Sequence, residues 1–120
     1  MMERRISVIS VNYNGYDLTC AMIDSLRRHV TTPLEIVDNG STRDEAAPLR
    51  ERYPDVKVLR SERNLGFAGG NNLGFAAATG DYLLLLNNDT EVTEDTLHYL
   101  RETLDNDRSI GAVCPKIRFF

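Results

Sequence analysis

Short apolar runs alternate with helical stretches along the whole chain. Ile6-Ser7-Val8-Ile9-Ser10-Val11 is β-branched and mostly apolar, the pattern of a buried strand. It stops at Asn12-Tyr13-Asn14-Gly15, a loop signal. Asp17 is placed to cap the helix that follows, in which Leu18, Met22, Ile23 and Leu26 recur at helical spacing up to His29. Thr31-Thr32-Pro33 breaks that helix, and Leu34-Glu35-Ile36-Val37 reads as a second strand. A helical pattern from Asp44 to Arg52 ends at Pro54, and Val56-Lys57-Val58-Leu59 is a third strand. Asn64 to Gly74 is a glycine- and asparagine-rich turn running into an alanine-rich helix, Leu73 to Thr79. Gly80 ends that helix, and Tyr82-Leu83-Leu84-Leu85-Leu86 reads as a fourth, buried strand. Thr93 is placed to cap a last helix from Glu94 to Asn106, with Leu97, Leu100 and Leu104 inward, before a fifth strand at Ile110–Cys114.

This alternation predicts an α/β fold, a mostly parallel sheet with helices on both faces. Residues 1–120 contain no repeat, low-complexity tract or linker and read as one unit. Cys114-Pro115-Lys116-Ile117-Arg118-Phe119-Phe120 looks like the exit of one strand and the start of another. The unit is therefore expected to be truncated at its C-terminus.

Three strand ends carry polar clusters: Asn12-Tyr13-Asn14, Asp38-Asn39-Gly40-Ser41 and Asn87-Asn88-Asp89. Parallel strands place such ends on one edge of the sheet, where ligands of open α/β folds bind. Asp38 could accept hydrogen bonds from a base or a ribose hydroxyl, and Tyr13 could stack on a flat ring. Asp89 could supply a carboxylate to a hard cation, with phosphate oxygens and water completing its shell. Asn64 and Asn72 offer amides near Gly66, Gly69 and Gly70, which let backbone approach a ligand closely. Each feature alone has a plainer reading: Asp38 as a turn former, the Asn-Gly turns as punctuation, Tyr13 as packing. The coincidence of the three ends points to a nucleotide-plus-metal site.

Composition narrows the partners. The chain has 120 residues, 42% hydrophobic and 27% charged, with a net charge of −4. That acidity argues against nucleic acid and anionic membrane as general partners, though not against a local phosphate site. Cys20 and Cys114 lack metal-ligand spacing, lie in apolar surroundings and read as buried free thiols, in keeping with a cytoplasmic protein. No leader is visible, and no apolar run approaches the roughly 20 residues that span a bilayer. The glycine-rich stretch is not G-x-G-x-x-G and follows the third strand, which argues against a dinucleotide dehydrogenase. No G-x-x-x-x-G-K-[ST] occurs, and no Ser/His/Asp or Cys/His constellation is visible.

Four segments in order carry a resemblance: Ile6–Gly15, Ile36–Thr42, Asn64–Gly74 and Leu85–Thr90. Together they resemble the nucleotide-binding half of the family 2 glycosyltransferases, enzymes of GT-A fold with a Rossmann-like core. The Asn-x-Asp form at Asn87-Asn88-Asp89 is similar to the rhamnosyltransferase-like branch. The resemblance covers essentially the whole chain. It implies a nucleotide-sugar donor lying across the strand ends and a glycan or lipid-linked acceptor, in polysaccharide or cell-wall synthesis. Val11, Asn12 and Tyr13 would line the base pocket and Asp38 would contact the base. Asn64, Gly66, Asn72 and Asn88 would belong to the donor site, with Asn87 near the ribose or sugar. Asp89 would ligate Mg²⁺ or Mn²⁺, neutralising the diphosphate as leaving group.

Inverting members place their general base in a later half, so it is expected beyond Phe120, and this chain is expected to bind donor without transferring it. The full-length protein would sit at the inner face of the membrane as a peripheral protein. Two alternatives stand beside this reading. A nucleotidyltransferase would carry a basic loop after the first strand, which Asn12-Tyr13-Asn14-Gly15 lacks. The other is a non-catalytic nucleotide-binding or interaction module, including a homodimer through apolar surface left at the cut edge, whose binding Asp89→Ala would leave untouched.

Overall fold

The computed structural model of the chain describes residues 4–116. Its elements run β1 (Ile6–Asn12), α1 (Tyr16–Arg27), β2 (Leu34–Asn39), α2 (Ala46–Arg52), β3 (Lys57–Ser61), α3 (Gly66–Ala77), β4 (Tyr82–Leu85) and α4 (Thr96–Asn106). The strands form one four-stranded sheet in the order β3-β2-β1-β4, and every pairing is parallel. The expected α/β class with a parallel sheet and helices on both faces is what the chain adopts.

Alternation along the strands sorts the two faces. Ile6, Val8, Leu34, Ile36 and Val58 join Met22, Ile23 and Leu26 of α1, Leu49 of α2 and Leu97 of α4 in one core. Ile9 and Val37 are also fully buried and lie on the opposite face, under α3. There helix and sheet meet without side-chain spacers: a Cβ on Gly74 would lie 2.4 Å from Ile9 Cγ2, and one on Gly70 would lie 3.2 Å from Val11 Cγ1.

That close contact explains the largest shift from the sequence reading. The glycine-rich segment is not a turn ahead of a helix from Leu73; it is the first half of α3 itself, which starts at Gly66. Glycine in a helix interior costs up to about 1 kcal/mol each, yet only glycine lets this helix settle onto β1 and β2. Helix starts also differ. Gly15, not Asp17, takes the N-cap of α1, leaving Asp17 in the first turn. Asp95 rather than Thr93 caps α4, its carboxylate accepting from the His98 amide at 3.1 Å.

Two further expectations are corrected. β4 is an edge strand, not a fully buried one: Leu83 and Leu85 are 46% and 47% exposed, because α3 covers β1 and β2 and leaves their outer side bare. Ile110–Cys114 forms no strand. No ladder partner joins it among the described residues, and exposed Gly111 and Ala112 bring little to bury. Cys114 is accordingly exposed, while Cys20 is buried as expected. The second strand start read near Phe120 falls outside the described residues. No helix among the described residues is long and apolar enough to cross a membrane.

Among the described residues the sheet leaves two buried side-chain oxygens without a hydrogen-bond partner, Ser10 Oγ and Glu35 Oε2, and of these Glu35 is the ionisable one. It lies on β2 between Ile9 of β1 and Lys57 of β3, is 3% exposed, and its Oε2 has no hydrogen-bond partner. Burial pushes its pKa up, against the opposing pull of Lys57. The folded chain therefore holds this proton more tightly than the unfolded chain. The associated stability is complete below the unfolded-state pKa and is lost as pH rises through the folded-state one. Glu35→Gln is expected to abolish this slope and to stabilise the protein at neutral pH by about 1 kcal/mol. Urea denaturation of both proteins at mildly acidic and neutral pH checks it; an equal or lower midpoint for the variant at neutral pH contradicts it.

Candidate functional site

The strand order turns back between β1 and β4, since β2 and β3 lie on one side of β1 and β4 on the other. Open α/β sheets bind ligands at such a switch point, beyond the carboxyl ends of the strands. A cleft of about 290 Å³ opens there, lined by Val11, Phe67, Asn71, Leu86, Asn87, Asn88 and Asp89. Val11 is the penultimate residue of β1, and Leu86 to Asp89 leave β4. Phe67 and Asn71 come from the first two turns of α3, one helical turn apart. The Asn71 amide donates to the Phe67 carbonyl at 2.9 Å, which fixes that wall.

Behind the cleft, a chain of hydrogen bonds links the strand ends. Asn88 Nδ2 donates to Thr19 Oγ1 at 3.1 Å, and Thr19 Oγ1 donates to Asn12 Oδ1 at 2.7 Å. Asn12 Nδ2 donates to Glu45 Oε1 at 2.9 Å and to Asp38 Oδ1 at 3.3 Å. Asp38 has no exposed surface. It accepts from the Ser41 hydroxyl, from the Glu45 amide at 3.2 Å and from the Arg60 guanidinium, with which it forms an ion pair. The Asp38 carboxylate is thus committed to partners within the protein.

A second latch holds the loop between β3 and α3. Asn39 Oδ1 accepts from the Leu65 amide at 3.0 Å, and its Nδ2 donates to the Gly66 carbonyl at 3.0 Å and to Asn64 Oδ1 at 3.2 Å. Asn64 Oδ1 also accepts from the Gly66 amide at 2.8 Å.

The structure brings Val11, Asn87, Asn88 and Asp89 together in the cleft. Asn12 and Asp38 lie buried behind it, and Tyr13 stands half-exposed at the β1 exit. Asn64 and Gly66 sit in the latched loop. Asn72 lies on the exposed side of α3, whereas its neighbour Asn71 lines the cleft. Sequence reasoning did not single out Thr19, Glu45, Arg60, Phe67 or Asn71. Phe67, Asn71 and Gly74 do share one helix face by spacing, a signal hidden while the segment was read as a turn. Arg60 stands opposite Asp38 in the β2–β3 register, which only strand pairing reveals.

The donor set suits one kind of metal. Among the described residues lining the cleft Asp89 is the one carboxylate, and Asn87 and Asn88 stand beside it. No group of three or more His, Cys, Asp or Glu capable of holding a metal occurs among the described residues. Mg²⁺ and Mn²⁺ favour oxygen ligands, and Mg²⁺ is commonly held by one or two carboxylates, substrate phosphates and water. The residues fit an ion that arrives with a diphosphate, not a closed structural site.

The Glycosyl transferase family 2 model matches residues 7–120. An uncharacterized glycosyltransferase of Nostoc sp. is 33% identical over 114 residues, covering 91% of this chain and 35% of that protein. S. aureus TarS in complex with UDP superimposes with a TM-score of 0.72 at 25% identity, over 85% of this chain and 32% of its own. The mannosyltransferase PcManGT from Pyrobaculum calidifontis, in complex with GDP-Man and Mn²⁺, gives a TM-score of 0.75 at 23% identity, over 87% of this chain and 33% of its own. The chain spans about a third of the length of each of these proteins.

Proposed function

The chain belongs to glycosyl transferase family 2, and from that premise we propose that it is the donor-binding part of a metal-assisted, inverting glycosyltransferase. The donor is a nucleoside-diphosphate sugar, and the acceptor a glycan or lipid-linked saccharide. Rhamnose is the sugar suggested by the Asn87-x-Asp89 form of the motif. The observation that carries the reading is the cleft at the switch point, into which Asn87, Asn88 and Asp89 converge. The UDP bound in one structural relative and the GDP-Man and Mn²⁺ bound in another support it.

In this reading Val11 and Tyr13 flank the nucleoside at the β1 exit, while the buried Asn12–Asp38–Arg60 network fixes the shape of that exit. Phe67 and Asn71 wall the cleft on the α3 side. Asp89 faces the diphosphate, where Mg²⁺ or Mn²⁺ supplies charge neutralisation of the leaving nucleoside diphosphate. The acceptor oxygen attacks the anomeric carbon as the diphosphate departs. Its proton passes to a general base that the described residues lining the cleft do not supply, since their one carboxylate serves the diphosphate.

Calorimetric titration with UDP, GDP and dTDP, with Mn²⁺ and with EDTA, tests the assignment. At least one nucleotide is expected to bind more tightly with Mn²⁺. Asp89→Ala is expected to lower the Mn²⁺-dependent affinity by about tenfold, the scale at which single residues around a metal act. Equal affinities with Mn²⁺ and EDTA, unchanged in the variant, would sink the reading.

A further inference from the structure

We infer that Thr19 is a positioning residue for the donor site, acting through Asn88 so that this side chain presents its carbonyl oxygen, not its NH₂ group, to the cleft beside Asp89. The inference rests on the donor-site reading above and assigns a role to residues outside the strand-end motifs. Two carboxylates, Glu45 and Asp38, stand at the far end of the hydrogen-bond chain. Carboxylates only accept, so the group Asn12 turns toward Glu45 and Asp38 must be its NH₂. Its Oδ1 then faces Thr19 and must receive a proton.

A hydroxyl has one proton to give. With that proton committed to Asn12, Thr19 meets its next neighbour with a lone pair, and Asn88 must answer with Nδ2. An amide whose nitrogen is tied behind the cleft turns its oxygen the other way. The polarity of Asn88 is therefore set by carboxylates that it does not touch.

Two observations make the arrangement rigid. Thr19 is fully buried, and its amide bonds to the Gly15 carbonyl at 2.9 Å, which seats it on the first turn of α1. Gly15 also closes around the Asn88 nitrogen: a Cβ there would lie 2.9 Å from Asn88 Nδ2. An amide oxygen beside a carboxylate is a hard donor pair for a divalent cation. The same position turned to NH₂ would repel it.

The test is the Mn²⁺-induced gain in nucleoside diphosphate affinity, measured by calorimetry alongside melting temperature. Thr19→Val keeps the shape and removes the hydroxyl, while Thr19→Ser keeps the hydroxyl. Thr19→Val is expected to lose about tenfold of the Mn²⁺-dependent affinity, with the affinity in EDTA unchanged and Thr19→Ser restoring the gain. Gly15→Ala should displace Asn88 without breaking the Thr19–Asn12 bond and reproduce the metal-selective loss, and it decides the matter if Thr19→Val does not fold. A full Mn²⁺ gain in the folded variants overturns this inference alone. Parallel losses in Thr19→Val and Thr19→Ser that follow melting temperature overturn it as well. If the unaltered chain binds no nucleotide, the donor reading falls and this inference with it.

Discussion

Arg60→Met is expected to lower the stability of the protein by about 3 kcal/mol, the low end of the range for removing one partner of a buried ion pair. Asp38 is wholly buried, and Arg60 is its cationic partner. Methionine fills most of the stem's volume but leaves the carboxylate with neutral donors alone: Ser41, the Glu45 amide and Asn12. The guanidinium also bonds the Ser41 carbonyl at 3.4 Å and approaches Asp44 at 3.7 Å, so the loop after β2 loosens as well. Water moderates the loss, because the Arg60 side chain keeps 25% of its surface exposed. Adding Asp38→Asn to the variant should recover part of the stability, since an amide needs no counter-charge. Urea denaturation of the wild type and the variants measures this; a loss below about 1 kcal/mol, the surface-pair value, would mean that Asp38 does not depend on Arg60.

Gly40 and Gly66 form a natural control pair. Their φ angles are nearly the same, +77° and +78°. Each would place an alanine in the left-handed region, at a cost of about 1–2 kcal/mol. Their surroundings differ completely. A Cβ on Gly66 meets nothing within 4 Å, whereas one on Gly40 falls 2.4 Å from both Arg63 C and Asn64 N. Those atoms are main chain and cannot swing aside. Gly40→Ala should therefore destabilise by about 3 kcal/mol or more, adding an overpacking cost of ~1–3 kcal/mol to the strain. Gly66→Ala should cost the strain alone. Thermal and urea midpoints of the two variants decide it: equal losses would show that conformation, not the contact between the β2–α2 and β3–α3 loops, governs Gly40.

The strand-helix rhythm was legible because each element carried its own period. Ile6–Val11 and Leu34–Val37 are β-branched runs, and Leu18, Met22, Ile23 and Leu26 recur at helical spacing. The polar strand ends were legible for the same reason, since parallel pairing is implied by the alternation. What stayed hidden depends on neighbours distant in sequence. The sequence hides the first half of α3 because glycine propensity opposes a helix, while the reason for glycine lies in Ile9 and Val11 beneath it. The apolar Tyr82–Leu86 run does not announce that it stands at an edge. Asp38 reads as a residue open to a ligand until register sets Arg60 opposite it. Thr19 looks like one more helix residue until its two amide partners are in place.

The cleft joins walls that lie far apart along the chain. Asn88 and Thr19 touch across a gap of 69 residues, and β4 pairs with β1 on the side opposite β2 and β3. Closing so long a loop is the entropically slow kind of step. A chain synthesised only as far as β3 holds three of the four strands and none of the β4 side of its binding surface. The site thus exists only once β4 has docked on β1. A nucleotide that binds there recognises only the finished fold, so it draws that docking equilibrium toward the native state in proportion to its concentration.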